Sequence, residues 1–176
     1  MKYVQWVLVA IGSVLLVVVV VGAILPSAYE VRRTIHVDAP PDRVYDLVVD
    51  TRRWKEWTAW NRRDPAMAVS YSGPPFGRGA KWSWESKSEG RGSMEFTHVV
   101  PNQRVDYRLA FPAFNLVARG ALVLEPARGG TDVTWLHVGD TGSNPLKHYI
   151  SAFMDRMVGP DFEQGLANLK AAAEKG

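Results

Sequence analysis

The segment "GALVLEPARGGTDVTWLHV", residues 120–138, is typical of a β-hairpin and decides how the chain folds. Apolar and polar residues alternate on both sides of "ARGG", whose glycines favour a tight turn. A turn at 127–130 places Leu124 opposite Val133, so that every second residue of both strands points to one apolar face. We therefore predict a sheet with one buried face and one solvent face.

The same alternation extends outward from this hairpin in both directions. Turn residues separate seven candidate strands, at 29–39, 66–72, 80–87, 92–100, 104–111, 115–125 and 131–139. Two short helices lie between the first two strands, and a long helix follows Asn144 and Pro145, a suitable cap and first helical residue. We expect an α+β fold in which a seven-stranded antiparallel sheet curls around the long C-terminal helix.

Turn positions also predict which side chains share the concave face of this sheet. The turn at 101–104 pairs His98 with Tyr107, and a short loop at 112–113 places Leu109 opposite Leu116. A single closing helix rarely fills a strongly curved sheet, so we expect a pocket lined by apolar and aromatic side chains. The predicted ligand-binding residues are Trp57, Trp82, Trp84, Phe96, His98, Tyr107, Leu116, Ala118, Gly120, Trp135, His137 and Met154, with Ala118 and Gly120 leaving space at the centre.

Three ionisable side chains point into the predicted pocket: His98, Tyr107 and His137. They are interpreted either as core residues hydrogen-bonded to each other or to backbone, or as groups that orient a polar atom of a ligand. No third histidine or carboxylate is spaced to join them, so no metal site is predicted. We assign no catalytic residue and no cofactor.

Trp54, Trp57 and Trp60 stand three residues apart within the most basic stretch of the chain, residues 51–64. One interpretation places the rings at the entrance of the pocket and the basic side chains against anionic lipid headgroups. The alternative is that the rings seal the short helices onto the sheet, while the arginines form a solvated surface. Both remain open at this point.

The N-terminal residues predict a membrane anchor. Val4 to Leu25 contain no charged residue and would span about 33 Å as a helix, enough for a bilayer core. A signal peptide cut after Ala23 is the competing interpretation, although the apolar run is longer than such peptides need. We expect a single-pass membrane protein with residues 1–28 as anchor and linker and residues 29–176 as the folded domain; the side of the membrane stays undetermined.

Composition excludes several classes of protein. The chain has no cysteine, which excludes disulfides and thiolate chemistry. Its net charge of +3 comes without a basic stripe, so no nucleic-acid partner is expected. Phosphate-binding loops, dinucleotide fingerprints, zinc-binding helices and nucleophile elbows are all missing from the sequence.

Three segments together resemble a known superfamily: "VRRTIHVDAPPDRVYDLVVDTRRWKEWTAW" (31–60), "GTDVTWLHV" (130–138) and "FEQGLANLKAAAE" (162–174). They are similar to START-like (SRPBCC) proteins, in particular the polyketide cyclase/dehydrase and lipid transport branch. The resemblance implies a helix-grip fold with a hydrophobic cavity between sheet and C-terminal helix. An N-terminal anchor resembles a bacterial subset of the family, which implies the cytoplasmic membrane.

These observations favour a membrane-tethered binding module for a hydrophobic small molecule, lipid-like or polyketide-like, with membrane lipids as further partners. One alternative is a polyketide cyclase/dehydratase-like enzyme that uses the histidines and tyrosine of the pocket as acid and base. Another is an envelope structural or interaction protein without a ligand. The sequence leaves protein partners unknown.

Overall fold

A computed structural model describes residues 2–175. In this part of the chain, one antiparallel sheet is combined with a long C-terminal helix and an N-terminal apolar helix. The helices are α1 (Lys2–Ile24), α2 (Pro41–Val49), α3 (Trp54–Trp57), α4 (Ala59–Arg63) and α5 (Pro145–Glu174). The strands are β1 (Ala28–Val37), β2 (Ala68–Ser72), β3 (Lys81–Glu85), β4 (Arg91–Val100), β5 (Arg104–Phe111), β6 (Leu116–Ala127) and β7 (Gly130–Asp140). A 3₁₀ turn, Pro112–Phe114, connects β5 to β6.

The seven strands follow the order β1-β7-β6-β5-β4-β3-β2, and every neighbouring pair is antiparallel. Consecutive strands from β2 to β7 are joined by turns, as short connections require. The chain first crosses from β1 to β2 through the three short helices, which places β1 beside β7 at the opposite edge. The predicted α+β fold with a seven-stranded antiparallel sheet is confirmed.

The observed strand register agrees with the predicted one in the β6–β7 hairpin and differs from it in the β5–β6 pair. Leu124 lies opposite Val133 in β6–β7, as predicted. In β5–β6, however, Tyr107 lies opposite Gly120 and Leu109 opposite Ala118, a shift of two residues from the expected pairing, because the 3₁₀ turn makes the connection longer. A shift by two residues does not change the face to which a side chain points. The side chains of β5 and β6 predicted for the concave face therefore still point to it.

Helix α5 closes the concave face of the sheet. The Asn144 side chain accepts a hydrogen bond from the Leu146 amide at 3.0 Å, which caps the helix with Pro145 at its first position. Its second half buries Phe162, Leu166 and Leu169 against the sheet. The core of the domain therefore lies between the sheet and the second half of α5.

The end of α1 packs against the beginning of α5. The Tyr149 hydroxyl donates to the Val18 carbonyl at 2.8 Å, and the His148 Nδ1 lies 2.8 Å from the Gly22 carbonyl. Gly22 is buried here, and a Cβ on it would lie 2.5 Å from the Pro145 carbonyl oxygen. Val18 is half-buried and the other residues of α1 are exposed. The helix is long and apolar enough to cross a membrane, a property that signal sequences share.

Candidate functional site

A cavity of about 910 Å³ lies between the concave face of the sheet and α5. Strands β3 to β7 and helix α5 supply the largest shares of its walls, and β1, the short helices and the connecting loops supply the rest. Most lining side chains are aromatic or aliphatic, among them Trp54, Trp84, Leu109, Phe111 and Phe162. This size and lining are typical of sites for small apolar molecules.

The structure brings seven of the twelve predicted ligand-binding residues together in the cavity wall: Trp82, Trp84, Tyr107, Leu116, Trp135, His137 and Met154. Phe96, Ala118 and Gly120 are buried but do not line it. Gly120 in particular leaves no space, because the Tyr107 ring covers it and a Cβ there would lie 2.1 Å from the ring. The expected gap at the centre of β6 is therefore filled by Tyr107.

His98 does not line the cavity, contrary to the prediction. The register of β4 shifts between Phe96 and His98, so that His98 pairs with Asp106 and Val99, rather than Val100, pairs with Val105. Such a bulge adds one residue to the strand and reverses the face of the residues beyond it. His98 is exposed as a result, and its predicted place in the pocket is wrong.

The three clustered tryptophans have separate roles. Trp54 and Trp57 are fully buried, and their indole N–H groups donate to the Val48 and Leu47 carbonyls at the end of α2, at 2.8 and 3.2 Å. Trp54 also lines the cavity, whereas Trp57 lies behind it, 4.7 Å between ring centroids. Trp57 therefore holds the short helices on the sheet and does not line an entrance.

Ion pairs and hydrogen bonds engage the four arginines around these rings, Arg52, Arg53, Arg62 and Arg63. Arg63 pairs with Asp161 and Glu89, and Arg53 pairs with Glu56. Trp60, half-buried in the cavity wall, donates to Asp161 at 3.0 Å. The alternative of a solvated, salt-bridged surface is thus favoured for this stretch.

An aromatic cluster forms the floor of the cavity. Trp135 stacks on Phe162 with ring centroids 4.0 Å apart and an interplanar angle of 11°, and it meets Trp54, Trp57 and Trp60 edge to face. Such pairs add stabilisation beyond the area that they bury. The cluster joins β7, α5 and the short helices at one point.

The charged members of the lining are Glu89, which pairs with Arg63, and the exposed Asp140 and Lys147. The buried polar groups of the cavity are few and uncharged. Trp135 donates from Nε1 to the Tyr107 hydroxyl at 2.8 Å, and burial raises the pKa of Tyr107. Burial lowers the pKa of His137 to about 4, and its Nε2 lies 3.4 Å from the Tyr29 hydroxyl. His137 Nδ1 and Trp82 Nε1 have no hydrogen-bond partner among residues 2–175. His137 is therefore neutral near pH 7, and no carboxylate within this part of the chain orients it.

Several residues line the cavity that were not predicted to do so, although the sequence pattern indicates them. Tyr29 shares the parity of Val31 on β1, and both are buried. Ile150, Met157 and Phe162 belong to the apolar stripe of α5. Within residues 2–175, no group of three potential ligands is placed to hold a metal ion.

Replacing Gly120 by valine is expected to lower the free energy of unfolding by about 1–3 kcal/mol, because the new side chain must displace the Tyr107 ring. Urea denaturation of the solubilised chain measures this. Arg119→Val, one residue earlier on β6 and exposed, is the control and should change stability by about 0.5 kcal/mol or less. Equal stability of Gly120→Val and the parent chain would contradict the close contact.

Known proteins resemble the chain in family and in fold. The model of a family described as polyketide cyclase / dehydrase and lipid transport matches residues 28–174. Among curated proteins, none matches the sequence.

Solved structures share the fold at low identity. A protein from Chromobacterium violaceum is 18% identical with a TM-score of 0.61, over 82% of this chain and 96% of that one. The di-domain ARO/CYC StfQ from the steffimycin biosynthetic pathway is 16% identical with a TM-score of 0.62, over 84% of this chain and 51% of that one. Ara h 8.0201 is 15% identical with a TM-score of 0.61, over 85% and 99%.

Proposed function

The chain belongs to the polyketide cyclase/dehydrase and lipid transport family, and on this premise we propose that it is a membrane-tethered binding module for a hydrophobic small molecule. The observation that supports this most directly is the cavity of about 910 Å³ with its aromatic and aliphatic walls. A cavity of this size accommodates a lipid-like or polyketide-like molecule.

The buried polar groups of the cavity favour a ligand that carries no charge where it lies beside them. The Tyr107 hydroxyl already accepts a hydrogen bond from Trp135, and the low pKa of His137 keeps that ring neutral. A charged group beside them would lose its hydration without gaining a partner, which is unfavourable by several kcal/mol at least. The part of the ligand that lies in the buried half of the cavity is therefore mainly apolar, with few hydrogen-bonding atoms.

Helix α1 supplies the tether in this proposal. Residues 1–28 form the membrane anchor and its linker, and residues 29–176 form the binding domain. A hydrophobic ligand partitions into the bilayer, so a tethered cavity meets a higher concentration of it than a free one would. Membrane lipids are accordingly the nearest source of a ligand.

Native mass spectrometry of the full chain, released from detergent, tests the proposal together with solvent extraction of the same preparation. We expect a bound molecule of a few hundred daltons that organic solvent extracts. A chain that stays free of any small molecule, both as purified and after incubation with a lipid extract, would contradict the proposal.

Filling the cavity should remove this molecule. Leu109→Trp projects a larger ring into the cavity from β5 and is expected to lower ligand occupancy at least tenfold. Ala110→Trp, the next residue on the same strand, points to the other face and should leave occupancy unchanged. Occupancy is measured as the bound fraction in native mass spectra, and equal loss in both variants would contradict the assigned cavity.

A cyclase is the second candidate, favoured by the description of the matched family and by the likeness to StfQ. The reaction would be an intramolecular aldol condensation of a poly-β-ketone. A base removes a proton from a carbon between two carbonyls, that carbon bonds to another carbonyl carbon of the same molecule, the alkoxide formed takes up a proton, and water then leaves. His137 is the candidate base in the cavity wall, but its low pKa and the lack of a carboxylate partner among the residues that the structure describes make it a weak base. Turnover of a poly-β-ketone mimic that His137→Gln abolishes would establish the cyclase instead.

A further inference from the structure

The cavity opens toward the first half of α5. The exposed members of its lining fall in three segments: residues 113–115 in the β5–β6 connection, residues 140 and 142 at the end of β7, and the first half of α5. The deeper lining, such as Trp135 and Phe162, is buried. The mouth therefore lies between the β5–β6 connection and the beginning of α5.

Large apolar side chains lie at this mouth or next to it on α5. They are Phe114, Leu146, Ile150, Phe153 and Met157, which we call the apolar rim, and their exposed fractions are 70%, 56%, 44%, 54% and 63%. Phe114, Ile150 and Met157 line the cavity, and the exposed charged side chains Asp140 and Lys147 line the mouth beside them. The four members on α5 are spaced by four, three and four residues, so they form one stripe along the helix. A contiguous exposed apolar surface of this kind marks a place of contact with a membrane or a partner.

The membrane helix is attached at the same end of the domain. The Tyr149 hydroxyl binds the carbonyl of Val18, and Val18 lies seven residues before Leu25, the last residue of the apolar run. At 1.5 Å per residue this is about 10 Å along α1. If α1 spans the bilayer, the first turns of α5 thus lie about 10 Å inside the end of the span, the depth at which interfacial helices bury their apolar face.

We propose that the apolar rim is inserted in the bilayer beside α1, so that the cavity opens directly into the membrane. The proposal rests on the tether of the proposed function and adds the route by which a ligand enters. The basic residues near the tryptophans lie away from the part of the domain that would contact the bilayer. Arg62 and Arg63 contact Asn168 and Asp161, which lie at least 12 residues, or about 18 Å, along α5 from Tyr149.

Single-cysteine labelling tests the proposal on the full chain, which has no cysteine of its own. Phe153→Cys and Phe114→Cys place a nitroxide on the rim, with Ile150→Cys as a replacement if either variant fails to fold. Phe76→Cys is the matched control: it is 63% exposed, and its loop contacts Arg52, away from α1. The chain is reconstituted in bilayers that contain anionic lipid.

Collision rates with dioxygen, which concentrates in lipid, and with a nickel chelate, which stays in water, give the depth of each label. We expect the dioxygen-to-nickel ratio at positions 114 and 153 to exceed that at position 76 at least tenfold. Similar ratios at all three positions would overturn the proposal, and so would protection from both reagents at position 153, which indicates a protein partner. Ligand content is measured on the same samples, so an empty cavity with lipid-inserted labels contradicts only the proposed function.

Discussion

Trp135→Ala is expected to lower the free energy of unfolding by about 3–5 kcal/mol, the range for removing a fully buried aromatic side chain. The substitution removes the stacking on Phe162 and the edge-to-face contacts with the tryptophans of α3 and α4. It also leaves the Tyr107 hydroxyl without its donor in a buried site. Urea denaturation followed by circular dichroism measures the change.

Two further variants separate the contribution of the Trp135 ring from that of its N–H group and from the loss of an exposed ring. Trp135→Phe keeps a ring against Phe162 but loses the donor, so its destabilisation should be clearly smaller than that of the alanine variant. Phe76→Ala removes an exposed ring and should change stability by about 0.5 kcal/mol or less. If Trp135→Ala were no more harmful than Phe76→Ala, the aromatic cluster would not hold the domain together.

The stability of the domain should fall on acidification between pH 6.5 and pH 4 because of His137. Burial lowers the pKa of this ring to about 4 in the folded chain, whereas an unfolded chain has the ordinary value of 6.5. Below pH 6.5 the unfolded state therefore binds a proton that the folded state does not. The difference amounts to about 3 kcal/mol of stability, present above pH 6.5 and lost as the pH falls to about 4.

His137→Gln should remove most of this loss, since the glutamine does not titrate. The measurement is urea denaturation of both chains at several values between pH 7.5 and pH 4.5. His36→Gln is the control, because His36 is exposed and bonded to Asp132 on the sheet surface. The assignment fails if His137→Gln retains the acid-dependent loss of the parent chain.

The fold followed from the sequence because its determinants are local. Alternation with period two defines a strand, and a turn of known position fixes the register of a hairpin, as it did for Leu124 and Val133. The register of the β4–β5 pair could not be predicted from the sequence, because the bulge beside His98 adds a residue without any distinctive sequence. One inserted residue is enough to turn a predicted pocket histidine toward solvent.

The cavity wall was less predictable than the face of the sheet. Alternation shows that Gly120 and Tyr107 share a face, but it does not show that the Tyr107 ring lies over Gly120 and occupies its space. Trp54 and Trp57 cannot be told apart by residue type or spacing in the sequence, yet only Trp54 lines the cavity. Which of two neighbouring rings covers the other depends on the packing of distant segments, and this is a tertiary property.

The link between α1 and β1 limits how such a protein can deliver what it binds. Only residues 25–27 separate the two elements, a reach of about 11 Å even when fully extended. If α1 lies in the bilayer, as proposed, the domain cannot leave the membrane surface and carry a ligand across water to a second membrane. Any molecule that it withdraws from the lipid has to be returned there or passed to an acceptor that comes to the same surface.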